Sequence, residues 1–344
     1  MFFGADDAGD GAHAAKYAEI LRIARVADSL GFAAVWTPER HFQQVGQVFP
    51  NPPVLSAALA AATERIAVRA GSLVLPLHHP LRVAEDWALI DNLSRGRVGV
   101  SIATGWHSTD FVLAPERYRD RRERTLEEIP LLRRLWAGEP AEFADGAGRT
   151  VAVVPQPRPY SERLPLWLTT SGSTGTWHAA GRLRTNILGA AAGYPRQELA
   201  ERIGRYRQEY QDAPTQTGAA ERGTVTMIAH CYVGADQDEA IAKAGDPLRR
   251  YLKSYVAQTS SNHDGGGTAE LTERQRDRLA DFALRRHLDW GSVIGSAETC
   301  RRSLDGLREV GCDEVACLID FGLGVEDILA GLYRLDRLRK ELAA

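Results

Sequence analysis

Cysteine is scarce in this 344-residue chain: Cys231, Cys300, Cys312 and Cys317 are its 4 thiols, and none sits in a CxxC pair. A disulfide framework is excluded on that count, and reduced, mostly buried thiols are expected. Charge of one sign is lacking too. The 45 acidic and 42 basic residues leave a formal charge of −3, so no strong field draws the chain to nucleic acid or an anionic membrane surface. No apolar run approaches the ~20 residues of a bilayer span. The opening MFFGADDAGDG has no basic n-region, which argues against a signal peptide and for the cytoplasm. What is present suits a large core: 44% hydrophobic and 25% charged residues exclude disorder as the main state.

Short apolar runs alternate with longer amphipathic stretches, the pattern of parallel β/α architectures. Strands are expected at 2–4, 34–37, 66–74, 98–102, 166–169, 185–188, 225–233 and 315–319. Helices are expected at 14–30, 54–63, 81–93, 119–136, 173–181, 197–210 and 297–310, the first stopped by Gly31. Roughly eight strands, most followed by a helix, match the barrel number, although a doubly wound sheet has the same local pattern. Two segments break the rhythm. Residues 142–154 read as a hairpin insertion running into PQPRPY, and 257–273, centred on SSNHDGGGT, reads as a mobile loop.

In a β/α barrel the chemistry sits where strands end and loops begin, which selects a short list of residues. At TTSGSTGTW (169–177), Ser171, Gly172, Ser173 and Thr174 offer amides and hydroxyls at a helix start, a place that binds phosphate. A plain N-cap, needing one of those hydroxyls, explains the spacing equally well. His41, His79 and His107 fall at the ends of three different expected strands, as catalysts or as hydrogen-bonded structural residues. Glu39 stands two residues before His41, where it orients an imidazole or pairs with Arg40. No metal site is expected, because adjacent His78 and His79 point apart on any regular element and no His-x-His pair follows the first strand. His230, within an expected strand, reads as a core histidine; Asp320 faces the mouth or caps a turn.

Taken together, GFAAVWTPERHF (31–42), NPPVL (51–55), the run from Ala70 to Phe111, TTSGSTGTW and VIGSAETC (293–300) resemble the bacterial luciferase-like, flavin-dependent monooxygenase superfamily, in order and spacing. WTPERHF, ATGWHSTDF and ACLIDFG are most similar to the subgroup found in secondary-metabolite biosynthesis. The resemblance implies a single (β/α)8 TIM-barrel domain over 1–344, with the hairpin and loop as insertions. It further implies reduced FMN supplied by a separate flavin reductase, reaction with O2 through a flavin 4a-hydroperoxide, and oxygenation of a small-molecule or carrier-bound substrate. FMN phosphate would lie at Ser171–Thr174. The isoalloxazine would lie over a bulge at Gly71-Ser72, often a cis peptide in the family, with Thr104 and Gly105 near ribityl and phosphate. Glu39, His41 and His107 would be the catalytic side chains.

Two departures stand out. Arg40 occupies the place of the luciferase catalytic histidine, with His41 one position later, and Thr104 replaces a phosphate-contacting arginine. A homodimer is expected by analogy, with the Ala-rich stretch 55–68 as a packing face. The rival readings are a deazaflavin-dependent oxidoreductase on the same fold, a non-catalytic flavin-binding subunit, and a barrel metallohydrolase.

Overall fold

The computed structural model describes residues 1–4, 13–42, 46–215, 219–260 and 272–343, without the side chains of 257–260. Seven of the eight expected strands form one curled parallel sheet: β1 (Ala34–Thr37), β2 (Ala67–Val74), β3 (Val98–Ala103), β6 (Leu166–Thr170), β7 (Asn186–Ala190), β8 (Val225–Val233) and β10 (Glu314–Leu318). They pair in chain order, each β/α unit laying its strand beside the one before. The eighth segment is shorter than a strand. Phe2 makes parallel bridges to both Trp36 and Leu318, joining the first and last strands of the path. Its amide donates to Cys317 O at 2.7 Å and that of Phe3 to Trp36 O at 3.0 Å, so the TIM-barrel-like sheet has no free edge there.

The N-terminal end of the interior is plugged by a charged layer. Arg69 lies 4.9 Å from the Trp36 ring and 4.6 Å from the Trp167 ring, with Glu314 2.9 Å away. Glu314 also accepts from Thr226 Oγ1, which in turn accepts from Trp167 Nε1, so the half-buried ion pair is tied to the neighbouring strands. The opposite, C-terminal end is left for the loops.

Helices follow the strands: α1 (His13–Leu30), α2 (Pro52–Ala62), α3 (Pro80–Ser94), α4 (Arg121–Ala137), α5 (Thr174–Arg182), α6 (Arg196–Asp212), α7 (Gln237–Ser260), α8 (Glu273–Asp289), α9 (Ala297–Glu309) and α10 (Val325–Ala343). The hairpin reading of 142–154 corresponds to antiparallel β4 (Ala141–Ala144) and β5 (Thr150–Val153). A further strand, β9 (Val293–Gly295), pairs with β8.

The loop reading of 257–273 needs correction at both ends. Residues 257–260 continue α7, and the capping box of Thr272 and Gln275 starts α8, while 261–271 lie outside the described residues. Gly245 and Pro247 interrupt the sequence pattern of α7, yet the helix runs through them. Among the described residues no helix is long and apolar enough to cross a membrane.

Candidate active site

Glu39 follows β1 by two residues and is wholly buried. Its Oε2 accepts Val74 N at 2.6 Å, and its Oε1 accepts from His41 Nε2 at 2.9 Å and His78 Nε2 at 2.7 Å. Burial opposes ionisation of this carboxyl, but the bonds from His41, His78 and Val74 N outweigh it and hold Glu39 below the usual carboxylate range. For His78 burial disfavours the imidazolium, and the bond and charge of Glu39 outweigh that, raising it above the ordinary imidazole value. The carboxylate therefore orients two imidazoles, each through its Nε2 proton, and its bonds do not go to Arg40.

His78 is the member that sequence reasoning missed, and His79 does not join the cluster. After β2 a single 3-10 turn, Leu75–Leu77, swings His78 toward Glu39. The next residue turns outward: His79 is exposed, and its Nδ1 accepts Leu81 N at 3.2 Å as the N-cap of α3. His107, at the end of the loop after β3, is buried beside Trp106, ring centroids 5.6 Å apart. Asp110 stands one 3-10 turn further on, its amide donating to His107 O at 3.2 Å. Burial raises the Asp110 carboxyl, opposed by the charges of His107, His41 and Arg40, so the loops after β1 and β3 meet around it. Its Oδ1 is buried with no hydrogen-bond partner among the described residues.

Gly71-Ser72 is a cis peptide, and the register between β2 and β3 shifts between Gly71 and Leu73, making Ser72 the bulged residue. Ser72 Oγ is hydrogen-bonded to Thr169 Oγ1, which also meets Ser101 Oγ at 2.6 Å, tying β2, β3 and β6 together. A Cβ on Gly71 would lie 2.6 Å from the Phe2 ring and 3.1 Å from Trp36 Cβ. Beyond β3, Thr104 is half-buried, and Gly105 has φ +75° with the Phe111 ring 2.7 Å from where a Cβ would be.

The serine-rich corner does not behave as a plain N-cap. Ser173 occupies the N-cap position of α5, but its side chain makes no cap bond, and the first turn carries no acidic residue. Instead Ser173 Oγ accepts from Arg122 Nη2 at 2.9 Å, bringing a guanidinium from α4 to the helix start. Gly172 has φ +119°, with open space where a Cβ would be, and Ser171 and Thr174 are exposed. Amides without a side-chain acceptor, hydroxyls and one cation fit a phosphate monoester.

A curled parallel sheet whose C-terminal strand ends carry the polar side chains defines a TIM-barrel-like enzyme scaffold. More narrowly, the chain belongs to the Luciferase-like monooxygenase family, whose pattern matches residues 1–314. It is 25% identical over 334 residues to the oxygenase component of the flavin-dependent trigonelline monooxygenase of Acinetobacter baylyi, covering 93% of this chain and 88% of that one. Among solved structures it resembles the monooxygenase RslO1 from Streptomyces bottropensis, at TM-score 0.78 and 23% identity over 100% of both chains. It also resembles the oxygenating constituent of 3,6-diketocamphane monooxygenase from Pseudomonas putida, solved with FMN, at TM-score 0.72 and 16% identity over 96% of this chain and 93% of that one.

Proposed function

We propose that this chain is the oxygenase of a two-component monooxygenase, a single (β/α)8 domain that takes reduced FMN from a separate flavin reductase and oxygenates a small molecule of secondary metabolism, free or carrier-bound, in the cytoplasm. The observation that carries the reading is the Arg122-Ser173 contact at a helix start whose hydroxyl caps nothing, on the same strand ends as the Gly71-Ser72 bulge. Ser171, Gly172, Ser173 and Thr174 bind the phosphate with Arg122, supplying the cation that Thr104 does not. Gly71, Ser72, Thr104 and Gly105 form the floor under the ring and ribityl chain. Reduced FMN, when bound, supplies the two electrons with which O2 is activated for oxygen transfer.

The chain's own work is shielding and proton control. Glu39 fixes His41 in the tautomer that carries the proton on Nε2, leaving Nδ1 as the acceptor. His107 holds or moves a second proton from the neighbouring loop. Val54, Leu89 and Leu93 are exposed apolar side chains on α2 and α3, and a homodimer covers them.

The test compares FMN with riboflavin. The chain is expected to bind FMN saturably, to consume oxygen when a flavin reductase is added, and to leave coenzyme F420 unbound; tight F420 binding without FMN binding would overturn the reading. Arg122→Gln weakens FMN binding roughly tenfold or more and leaves riboflavin binding unchanged, since the lost bond is charge-assisted and reaches only the phosphate. His41→Ala and His107→Ala retain FMN and change the rate of hydrogen peroxide release after air is mixed with the reduced complex by at least about tenfold. Unchanged rates in both would remove them from the proton chemistry.

A further inference from the structure

β8 and the helix that follows it enclose an imidazole nitrogen with no hydrogen-bond partner among the described residues. Thr226 faces the interior, where it meets Trp167 and Glu314. Side chains alternate along a strand, so Ile228 and His230 share that inward face, and His230, in register with Leu318, stands toward the C-terminal mouth. It is 8% exposed, and its Nε2 has no hydrogen-bond partner among the described residues. Three rings meet it edge-on: Tyr251 at 4.8 Å, Phe321 at 5.3 Å and His287 at 5.4 Å between centroids. Burial, reinforced by the His287 ring, pushes His230 well below the ordinary imidazole value, so it stands there neutral. His287 cannot relieve it through Nδ1, which donates to Ala283 O at 2.8 Å.

Helix α7 carries this wall across the mouth. Tyr251 is half-buried. One turn further along the same face, Tyr255 meets Trp106 at 6.4 Å, next to His107. Tyr255 and Trp106 are 41% and 39% exposed, so the aromatic pair spans from α7 to the end of β3 without being closed into the core. The charged groups that act on Tyr251 are Arg40 and Asp320.

A buried polar nitrogen left unpaired is costly, and one that faces the mouth of the barrel is placed to be satisfied by a bound molecule. We propose that His230 is a specificity-determining residue whose Nε2 accepts a hydrogen bond from the hydroxyl of a phenol-type aromatic substrate, the ring packing against Tyr251 and the Trp106-Tyr255 pair. This rests on the oxygenase reading and names the substrate class for it. A neutral imidazole among aromatic rings rewards a planar ring with one donor hydroxyl, whereas an aliphatic chain would leave the stacking faces unused and a carboxylate would bring the Nε2 no proton to accept.

The experiment measures equilibrium binding of 1-naphthol and naphthalene to the full-length, flavin-free protein, with an FMN titration of the same sample. Wild type is expected to prefer 1-naphthol by about five- to tenfold, the increment of one buried hydrogen bond. His230→Phe abolishes the preference while leaving naphthalene affinity within about twofold, and His230→Gln, which keeps a polar atom in place, retains part of it. Equal binding of the two ligands by wild type, or a preference that survives in His230→Phe, overturns the proposal. Equal binding by wild type overturns it even if the variants fail to fold. FMN binding with no ring preference sinks this inference alone, whereas a ring preference without FMN binding sinks the oxygenase reading alone.

Discussion

Glu39 is the residue on which the candidate site turns, because one buried carboxylate serves two imidazoles and a backbone amide. Glu39→Gln keeps the shape but removes the charge, leaving His78 without the group that raises it. Breaking such a buried pair costs on the order of 3–5 kcal/mol. The pH dependence has two limbs. The lowered Glu39 contributes stability above its ordinary value of 4.5 and loses it as pH falls through the folded-state value. The raised His78 contributes below its ordinary value of 6.5 and loses it as pH rises through the folded-state value. Wild type should therefore exceed Glu39→Gln most in urea-unfolding free energy between pH 4.5 and 6.5, with the gap narrowing on both sides. A gap independent of pH would show that the trio is not an ion pair. The sequence placed Glu39 beside His41 because two residues cannot be far apart, but it singled out His79 where the structure brings in His78. That choice is made by the 3-10 turn at Leu75–Leu77, whose geometry depends on how β2 leaves the sheet.

At the scale of elements, the β2 bulge and the α5 start show what local pattern carries. TSGST announces a helix start from its own residues, so the beginning of α5 was legible without a fold. Arg122, 51 residues earlier, was not, since only the packing of α4 beside α5 brings it to Ser173. The same distinction explains α7: Gly245 and Pro247 argue locally against a helix, and packing against α8 and β9 overrides them. Gly71 gives a direct test of the bulge. Its missing Cβ admits the Phe2 ring and Trp36, both part of a close-packed interior that yields little. Gly71→Ala is expected to destabilise by ~1–3 kcal/mol through overpacking and to weaken FMN binding, read by thermal unfolding and flavin titration. Gly146→Ala, in the β4-β5 hairpin with open space around it, serves as a control that leaves FMN binding unchanged.

For the molecule as a whole, the question is what holds the sheet curled so that loops after β1, β3, β6 and β8 reach one mouth. Alternating strand and helix patterns foretold the strands, but closure is a long-range property that no window of sequence contains. Residues 1–4 supply it through a ladder on both sides: Trp36 N donates to Met1 O at 2.9 Å, Phe2 N to Cys317 O at 2.7 Å, and Gly4 N to Asp320 Oδ1 at 2.8 Å. Phe3 anchors this ladder, wholly buried and stacked 6.4 Å from Phe49. Phe3→Ala removes the anchor and leaves a cavity, at about 3–5 kcal/mol. If the segment is the closing stave of the ring, that loss spreads: amide hydrogen exchange should speed up together in β1 and β10, the two strands it joins, while β6 and β7 on the opposite side keep their protection. FMN binding should weaken in parallel, because the Phe2 ring packs against Gly71 and Glu39 closely follows β1, the strand next to the seam. Exchange that rises at residues 1–4 alone, with β1, β10 and flavin affinity unchanged, would mean that the sheet holds its curl without them and that the charged plug of Arg69 and Glu314 is what keeps the mouth in shape.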